Sequence, residues 1–187
     1  NDLQGSIEIH DIQGCQHRSP YENHTVENIR GVVTWKVENG FYFQSTSPDN
    51  KDCSSEGIFV FTSSYPQVVP GDDVSVNGKV EEFTPGSEND YNLSVTEINT
   101  TGYKILSSGN ALPAAELIGK NLPAEVIEND SFTQFDPTTD GLDYWESLES
   151  MLVQVNNAQV VEPRNTYGEI VVIPEDVSAN NLISIEG

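Results

Sequence analysis

Residues 25–44 alternate between apolar and polar side chains in a way that predicts two paired strands. Apolar positions recur at every second residue from 29 to 37, which is the period of a half-buried strand. Asn39-Gly40 follows, a dipeptide that favours a type I′ turn with two positive-φ residues, and the chain returns through the aromatic residues 41–43. We therefore expect a β-hairpin whose first strand turns its Trp35 side towards the protein interior.

Three later stretches continue the strand pattern. Residues 56–62 are apolar on both faces, and residues 73–83 and 91–98 alternate again, as strands do. Residues 7–12 carry an isoleucine alternation that predicts a short entry strand or a lead-in segment. Residues 63–72 contain two prolines and no helical period, which is typical of a connector. The chain is therefore expected to be mostly β.

The order of these strands favours an OB-fold, a small five-stranded Greek-key barrel that binds oligonucleotides or oligosaccharides. A long first strand that bends at Gly31 suits the closure of such a barrel, and the connector replaces the usual helix between strands three and four. A β-sandwich is the alternative. We assign residues 1–106 to an OB-fold-like barrel, 107–143 to a connector, and 144–187 to the start of a second, truncated OB-like unit.

The charge composition limits the partners of this chain. It has 30 Asp and Glu residues against 8 Lys and Arg residues, which gives a formal net charge of −22. A polyanion therefore meets net repulsion at low salt, although screening over about 8 Å at physiological ionic strength allows a local basic patch to act on its own. The acidity itself is typical of a protein that stays in solution in a saline or calcium-containing exterior.

Cys15 and Cys53 lie in loop-like sequence at either end of the hairpin region. We expect them to form a disulfide, which contributes about 3 to 4 kcal/mol in the chain-entropy model and implies an oxidising compartment, either secreted or at the cell surface. A zinc site would also need His10 and His17. No apolar run reaches about 18 residues, the length that spans a bilayer, so we expect no association with a membrane.

Aromatic and polar side chains cluster on the first three predicted strands, where barrels of this kind stack bases. Each stacked base contributes about 1 to 3 kcal/mol. The candidate nucleic-acid-binding residues are Tyr42, Gln44, Phe59, Phe61, Lys36 and Arg30. The alternative is that these aromatics pack in the core or against a second barrel, because a groove for phosphates needs more cations than this one has.

Acidic residues in two loops are candidate Ca²⁺ ligands, because carboxylate oxygens suit this ion. The candidates are Asp49 and Asp52, with Glu56 beside them, and Asp140 and Asp143, with Asp136 beside them. Neither loop follows an EF-hand pattern, and solvated acidic loops are the alternative interpretation.

Five blocks of the sequence together resemble one family. They are IHDIQGCQHRSP (9–20), RGVVTWKVENGFYFQ (30–44), SEGIFVFT (55–62), PGDDVSVNGKVEEF (70–83) and DGLDYWESLESMLVQVNNAQVV (140–161). In this order they are similar to the non-catalytic region of large secreted bacterial nucleases, and the resemblance covers nearly the whole chain. Those proteins carry tandem OB-type domains ahead of a catalytic domain of the endonuclease/exonuclease/phosphatase superfamily.

The resemblance implies that catalysis takes place outside this chain. A Mg²⁺ ion held by carboxylates and Asn, together with a His and an Asp that activate water, belongs to the catalytic domain, and no cofactor is expected for the chain itself. The 3 histidines all lie within residues 10–24 and have no nucleophile or carboxylate partner at motif spacing. We expect no enzymatic activity from this chain alone.

We therefore expect an accessory, non-catalytic domain of an extracellular bacterial nuclease. Its expected partners are single-stranded nucleic acid and the catalytic domain of the same polypeptide. A structural or protein-docking β module without nucleic-acid binding is the alternative, and the acidity favours it. Glycan binding is a third possibility, because the same fold and exposed aromatics also serve sugars.

Overall fold

The chain is described by a computed structural model that covers residues 6–86, 92–119, 126–166 and 168–174. It divides into two compact units, Asn1–Ala114 with Pro123–Leu152, and Ala115–Leu122 with Val153–Gly187. The elements in chain order are α1 (Ile9–Gln13), β1 (Thr25–Val37), β2 (Gly40–Gln44), β3 (Gly57–Phe61), β4 (Asp73–Phe83), β5 (Val95–Ser107), β6 (Glu116–Ile118), α2 (Gly141–Glu146), β7 (Val153–Val155), β8 (Gln159–Val160) and β9 (Val172–Ile173). The chain is mostly β, as the sequence predicted.

Five strands of the first unit form a mixed sheet that closes in a ring. Their order is β1-β2-β3-β5-β4, and β4 pairs back with β1. Every neighbouring pair is antiparallel except β3 and β5, which are parallel. The predicted hairpin is confirmed, and β4 has the predicted bounds. The fifth strand was predicted over residues 91–98, but it begins at Val95 and continues to Ser107.

Alternate side chains of the strands fill the interior of the ring. The fully buried members of this core include Val33, Phe41, Phe43, Ile58, Val60, Val74, Val76, Val80 and Ile98. Burying one such side chain contributes about 1.5 to 3 kcal/mol relative to leaving it exposed. Residues 63–72 contain no helix, as predicted, and Val68 of this connector is also buried in the core.

The helix α1 also contributes to the core of the first unit. Its Ile9 and Ile12 are both fully buried, and a spacing of three residues brings side chains to one face of a helix. The Asp11 carboxylate accepts a hydrogen bond from the Glu8 N–H at 3.0 Å, which occupies an N–H at the start of the helix. The predicted entry strand over residues 7–12 is therefore wrong, because this spacing belongs to a helical period.

One extra residue in β1 turns Trp35 to the outside of the ring. Val33 pairs with Phe43, and the next pair is Trp35 with Tyr42, so Thr34 forms a β-bulge. Because strand side chains alternate, a shift of one residue exchanges the two faces. Val33 is fully buried, whereas Trp35 is 64% exposed. The prediction that Trp35 lies in the interior is wrong for this reason.

The hairpin turn also differs from the prediction. Val37 pairs with Gly40, so Glu38 and Asn39 form the two-residue loop, and neither of them nor Gly40 has a positive φ. The predicted type I′ turn at Asn39-Gly40 is therefore wrong. Gly40 has a different role, because a Cβ atom at this position would overlap with Cζ of Phe59. The Phe59 ring occupies the space that a side chain would need.

Residues 149–152, which we call the strap, complete the first unit. They cross β3 at Gly57, where a Cβ atom would lie 2.5 Å from the Ser150 carbonyl oxygen. The Leu152 N–H donates a hydrogen bond to Gln44 Oε1 at 2.9 Å, and the Glu149 carboxylate accepts one from the Thr96 N–H at 3.1 Å. The strap therefore satisfies polar groups that the strands leave open.

Cys15 and Cys53 form a disulfide, as predicted. It joins the loop after α1 to the loop before β3, and a disulfide is consistent with an extracytoplasmic location. Within the described ranges, no helix is both long and apolar enough to cross a membrane.

The second unit contains two small sheets. β6 pairs with β7 in parallel, and β8 pairs with β9 in antiparallel fashion. The segment predicted to begin a second β unit at residue 144 starts inside α2, which belongs to the first unit. Residues 175–187, the last part of that predicted unit, lie outside the described residues.

Candidate functional site

A row of aromatic side chains crosses three neighbouring strands on the outer face of the ring. Trp35 on β1 pairs with Tyr42 on β2, and Tyr42 pairs with Phe59 on β3. Directly paired residues point to the same face of a sheet. The centroids of the Tyr42 and Phe59 rings are 4.9 Å apart, and the ring planes are inclined by 49°. We call Trp35, Tyr42 and Phe59 the aromatic row.

The alternation of β2 explains why the row faces outward. Phe41 and Phe43 are fully buried in the ring, so Tyr42 between them must point the other way. Tyr42 is half-buried, and this burial, followed by the nearby negative charge of Glu149, raises the pKa of its hydroxyl. Phe61 lies two residues beyond Phe59 and is also half-buried on the outer face.

Two glutamates continue the line of the aromatic row across β5 and β4 on the same outer face. Phe59 pairs with Glu97 of β5, and Glu97 pairs with Glu81 of β4. Glu81 accepts hydrogen bonds from Asn99 Nδ2 at 3.0 Å and Lys79 Nζ at 3.1 Å, and these contacts lower the pKa of its carboxyl. The aromatic row therefore ends at two carboxyl groups with different surroundings.

Glu97 has no such partners. It is only 8% exposed, and within the part of the chain that the structure describes no group donates a hydrogen bond to its carboxylate. Burial first, and then the charge of Glu81, raises the pKa of the Glu97 carboxyl. A carboxylate in this state is poorly solvated and has open acceptor positions.

The basic side chains predicted to bind phosphates already have partners elsewhere. Arg30 donates to Asp73 Oδ2 at 2.6 Å and lines a separate cleft on β1. Lys36 pairs with the buried Phe41, and its Nζ lies 4.8 Å from the centroid of the Tyr65 ring. The predicted set is thus divided, because Tyr42, Phe59 and Phe61 lie together on β2 and β3, whereas Arg30 contacts Asp73 of β4 and Lys36 contacts Tyr65.

The remaining predicted residue of this set, Gln44, is only 4% exposed, and its side chain binds the strap. Trp35 and Glu97 belong to the site but were not predicted. The first was missed because nothing in the local sequence marks the bulge at Thr34. The second becomes a neighbour of Phe59 only through the parallel pairing of β3 with β5, which a local pattern cannot reveal.

His10, Asp49 and Glu56 form a group whose possible metal-ligand atoms all lie within 4.8 Å of one another. His10 Nδ1 is 3.1 Å from Glu56 Oε2, and Glu56 Oε1 accepts a hydrogen bond from the Asp49 N–H at 2.7 Å. Burial by itself would raise the pKa of the Asp49 carboxyl, but hydrogen bonds from Lys51 and Ser54 outweigh it and lower this pKa below its usual value. This group could hold a divalent cation. The contacts among its three members also hold the loop before β3 against α1.

The other candidate Ca²⁺ ligands have structural roles or lie apart from this group. Asp52 is exposed. Asp140 is the N-cap of α2, since its Oδ1 accepts hydrogen bonds from the N–H groups of Leu142 and Asp143, a common arrangement at helix starts. Asp143 is buried, and its carboxylate accepts a hydrogen bond from the Asp136 N–H.

A cleft of about 620 Å³ lies beside His17, whose ring makes edge contacts with Phe132 and Phe135. His17 Nε2 is 2.7 Å from Asp143 Oδ1, and His17 Nδ1 is 3.8 Å from Glu146 Oε2. The two carboxylates do not line the cleft. His17 therefore separates the open cleft from the acidic groups behind it.

We call Glu82, Asp143, Glu146 and Glu149 the acidic cluster. Burial, followed by the charges of the other three members, raises the pKa of Glu146 to about 8. Burial also raises the pKa of Glu149 to about 7, although hydrogen bonds from Gln13 and Thr96 oppose the shift. Because these groups contact the protein's own side chains and not the cleft, we interpret the cluster as structural.

Comparison with known proteins covers part of the chain. Residues 105–186 match the model of a family described as a domain of unknown function, DUF8508. The match begins near the end of β5, so strands β1 to β4 and the aromatic row lie outside it. No curated protein and no solved structure matches the chain.

Proposed function

We propose that this chain is a non-catalytic accessory domain of an extracellular nuclease, and that the aromatic row is its contact surface. This proposal rests on the observation that Trp35, Tyr42 and Phe59 lie side by side on the outer face of β1, β2 and β3. The ring with strand order β1-β2-β3-β5-β4 supports the proposal of an OB-like fold, a class whose ligands bind on the face of strands two and three. The nuclease parent rests on the sequence resemblance, as does a second OB-like unit towards the C-terminus.

The charges around the aromatic row favour a protein partner, such as the catalytic domain of the same polypeptide. Binding of a nucleic-acid backbone depends on Lys and Arg side chains that neutralise phosphates. Here Arg30 is paired with Asp73, Lys79 is paired with Glu81, and the row itself ends at Glu97. Aromatic side chains are enriched at protein contact surfaces, and Lys is depleted there.

Single-stranded nucleic acid is the second candidate, and the exposure of Trp35 favours it. An indole that is 64% exposed offers a face on which a base could stack, a contact worth about 1 to 3 kcal/mol. The phosphates of such a strand could run along the edge of the ring, away from the carboxyl groups of Glu97 and Glu81.

The accessibility of Trp35 tests the contact surface. In a Trp145→Phe background, Trp35 is the remaining tryptophan, so acrylamide quenching of its fluorescence reports on this side chain alone. We expect strong quenching in the isolated chain and protection in a polypeptide that also contains the catalytic domain. Equal quenching in both would overturn the proposed contact.

Two measurements on the isolated chain complete the test. Fluorescence anisotropy with a single-stranded oligonucleotide is measured at low and high salt for the parent chain and for Trp35→Ala. We expect no binding that depends on Trp35. Salt-dependent binding that is lost in the variant would establish the second candidate instead. We also expect no cleavage of DNA or RNA with Mg²⁺. Cleavage that a point substitution in this chain abolishes would disprove the non-catalytic assignment.

A further inference from the structure

We infer that the partner segment bound by the aromatic row is basic, and that it presents a Lys or Arg side chain to Glu97. This inference rests on the proposed function, since it names the chemistry of what that same surface binds. It follows from the position of Glu97 at the end of the row, from its lack of partners, and from the charge of the chain.

Glu97 is the open acceptor of this surface. It is 8% exposed and has no hydrogen-bond donor among the described residues, whereas the neighbouring Glu81 is already bonded to Asn99 and Lys79. The carboxylate oxygens of Glu97 are not closed off from solvent, so a charged donor from a ligand can reach them and form a charge-assisted hydrogen bond. A cation supplied by the partner therefore has a defined place to bind.

The aromatic side chains beside Glu97 suit the rest of such a residue. Lys and Arg lay their aliphatic stems on apolar surfaces while the charged head stays at a polar group, and a cation also binds the face of an aromatic ring. Phe59 is the direct neighbour of Glu97, so a stem on Phe59 would bring its head group to the carboxylate. The chain already contains one such contact, between Lys36 Nζ and the Tyr65 ring at 4.8 Å.

The charge of the whole chain points to the same ligand class. A formal net charge of −22 attracts basic segments over a distance and repels acidic ones, and this effect weakens as salt is added. General attraction would act anywhere on the surface, however. The decisive property is therefore the dependence of binding on Glu97 in particular.

Three synthetic peptides of identical length and Ser/Tyr framework, carrying Arg, Gln or Glu at the same positions, provide the test. Their binding to the chain is measured by fluorescence anisotropy at two salt concentrations. The protein variants are Glu97→Gln, Trp35→Ala and, as the matched control, Glu27→Gln, which removes the same charge from an exposed position on β1. Thermal unfolding of each variant confirms that it remains folded, and Gln is close to Glu in size.

We expect the Arg peptide to bind more tightly than the Gln peptide and the Glu peptide to bind least. Glu97→Gln should weaken the Arg peptide at least about tenfold, which corresponds to about 1.4 kcal/mol, and Glu27→Gln by less than about twofold. Equal losses in the two variants would mean general attraction only and would overturn the inference.

The same experiment separates this inference from the proposed function. If Trp35→Ala weakens all three peptides while their order of affinity does not depend on Glu97, the aromatic row is a contact surface but Glu97 does not receive a basic side chain, which overturns the inference alone. If no peptide depends on Trp35, the contact surface itself is refuted. An oligosaccharide added as a competitor that displaces all three peptides equally would also refute the basic partner.

Discussion

Glu146 and Glu149 should make the stability of this protein fall as the pH rises from about 5 to about 8. The pKa of Glu146 is raised to about 8 and that of Glu149 to about 7, above the value of about 4.3 for Glu in an unfolded chain. Between these limits the folded state keeps protons that the unfolded state has released. The linkage relation then requires that the free energy of unfolding decreases with increasing pH.

The size of this decrease follows from the two shifts. At about 1.4 kcal/mol for each pH unit, Glu146 alone corresponds to about 5 kcal/mol and Glu149 alone to about 3 to 4 kcal/mol. The two do not simply add, because the charge of Glu149 contributes to the shift of Glu146, and residual contact with water reduces both. We therefore expect a total loss of about 3 kcal/mol between pH 5 and pH 8.

Urea unfolding at several pH values between 5 and 8 measures this loss. Glu146→Gln removes the ionisable group while the Glu149 carboxylate keeps its hydrogen bond from Thr96, so we expect the variant to lose at least half of the pH dependence and to be more stable than the parent at pH 8. Glu38→Gln, in the exposed hairpin turn, is the matched control. A parent protein whose stability is constant or rises over this range would refute the reasoning, and so would a Glu146→Gln variant with unchanged dependence.

Three further predictions concern stability. Replacing Cys15 and Cys53 with Ser should lower the free energy of unfolding by up to about 4 kcal/mol in the chain-entropy model, because the bridge closes a sequence separation of 38. Thermal unfolding with and without a reductant checks this, and the reductant should have no effect on the variant. Phe41→Ala should destabilise by about 3 to 5 kcal/mol, whereas Trp35→Ala, at a position 64% exposed, should change stability by less than about 1 kcal/mol; equal losses in chemical unfolding would contradict the outward position of Trp35. Asp140→Ala should cost about 1 kcal/mol through loss of the N-cap of α2, and faster amide exchange at Leu142 and Asp143 is expected, while unchanged exchange would show that the cap is dispensable.

The sequence predicted those elements whose apolar pattern is visible within a few neighbouring residues. In β4, Val74, Val76 and Val80 point inward and polar residues separate them, so the local period determines both the element and its bounds. The hairpin of β1 and β2 was found for the same reason. Mostly β structure and the Cys15–Cys53 disulfide also follow from local composition and loop position.

The errors arise where tertiary contacts decide the structure. The bulge at Thr34 reverses the face on which Trp35 lies, and only the register with β2 reveals it. Residues 99–102 of β5, NTTG, have the composition of a turn, yet they continue a strand because β4 offers a long partner for pairing. The acidic cluster assembles from positions far apart in the sequence, so no local pattern predicted its raised pKa values.

The crossing of the strap over Gly57 has a consequence for how the chain is made. A polypeptide that ends after β5 would contain all five strands of the ring, yet Gln44 would lack its bond from Leu152, and Thr96 its bond to Glu149. These partners leave the ribosome only after the strands have done so. Folding of the first unit during synthesis is therefore completed from its C-terminal side, by residues translated after the ring itself.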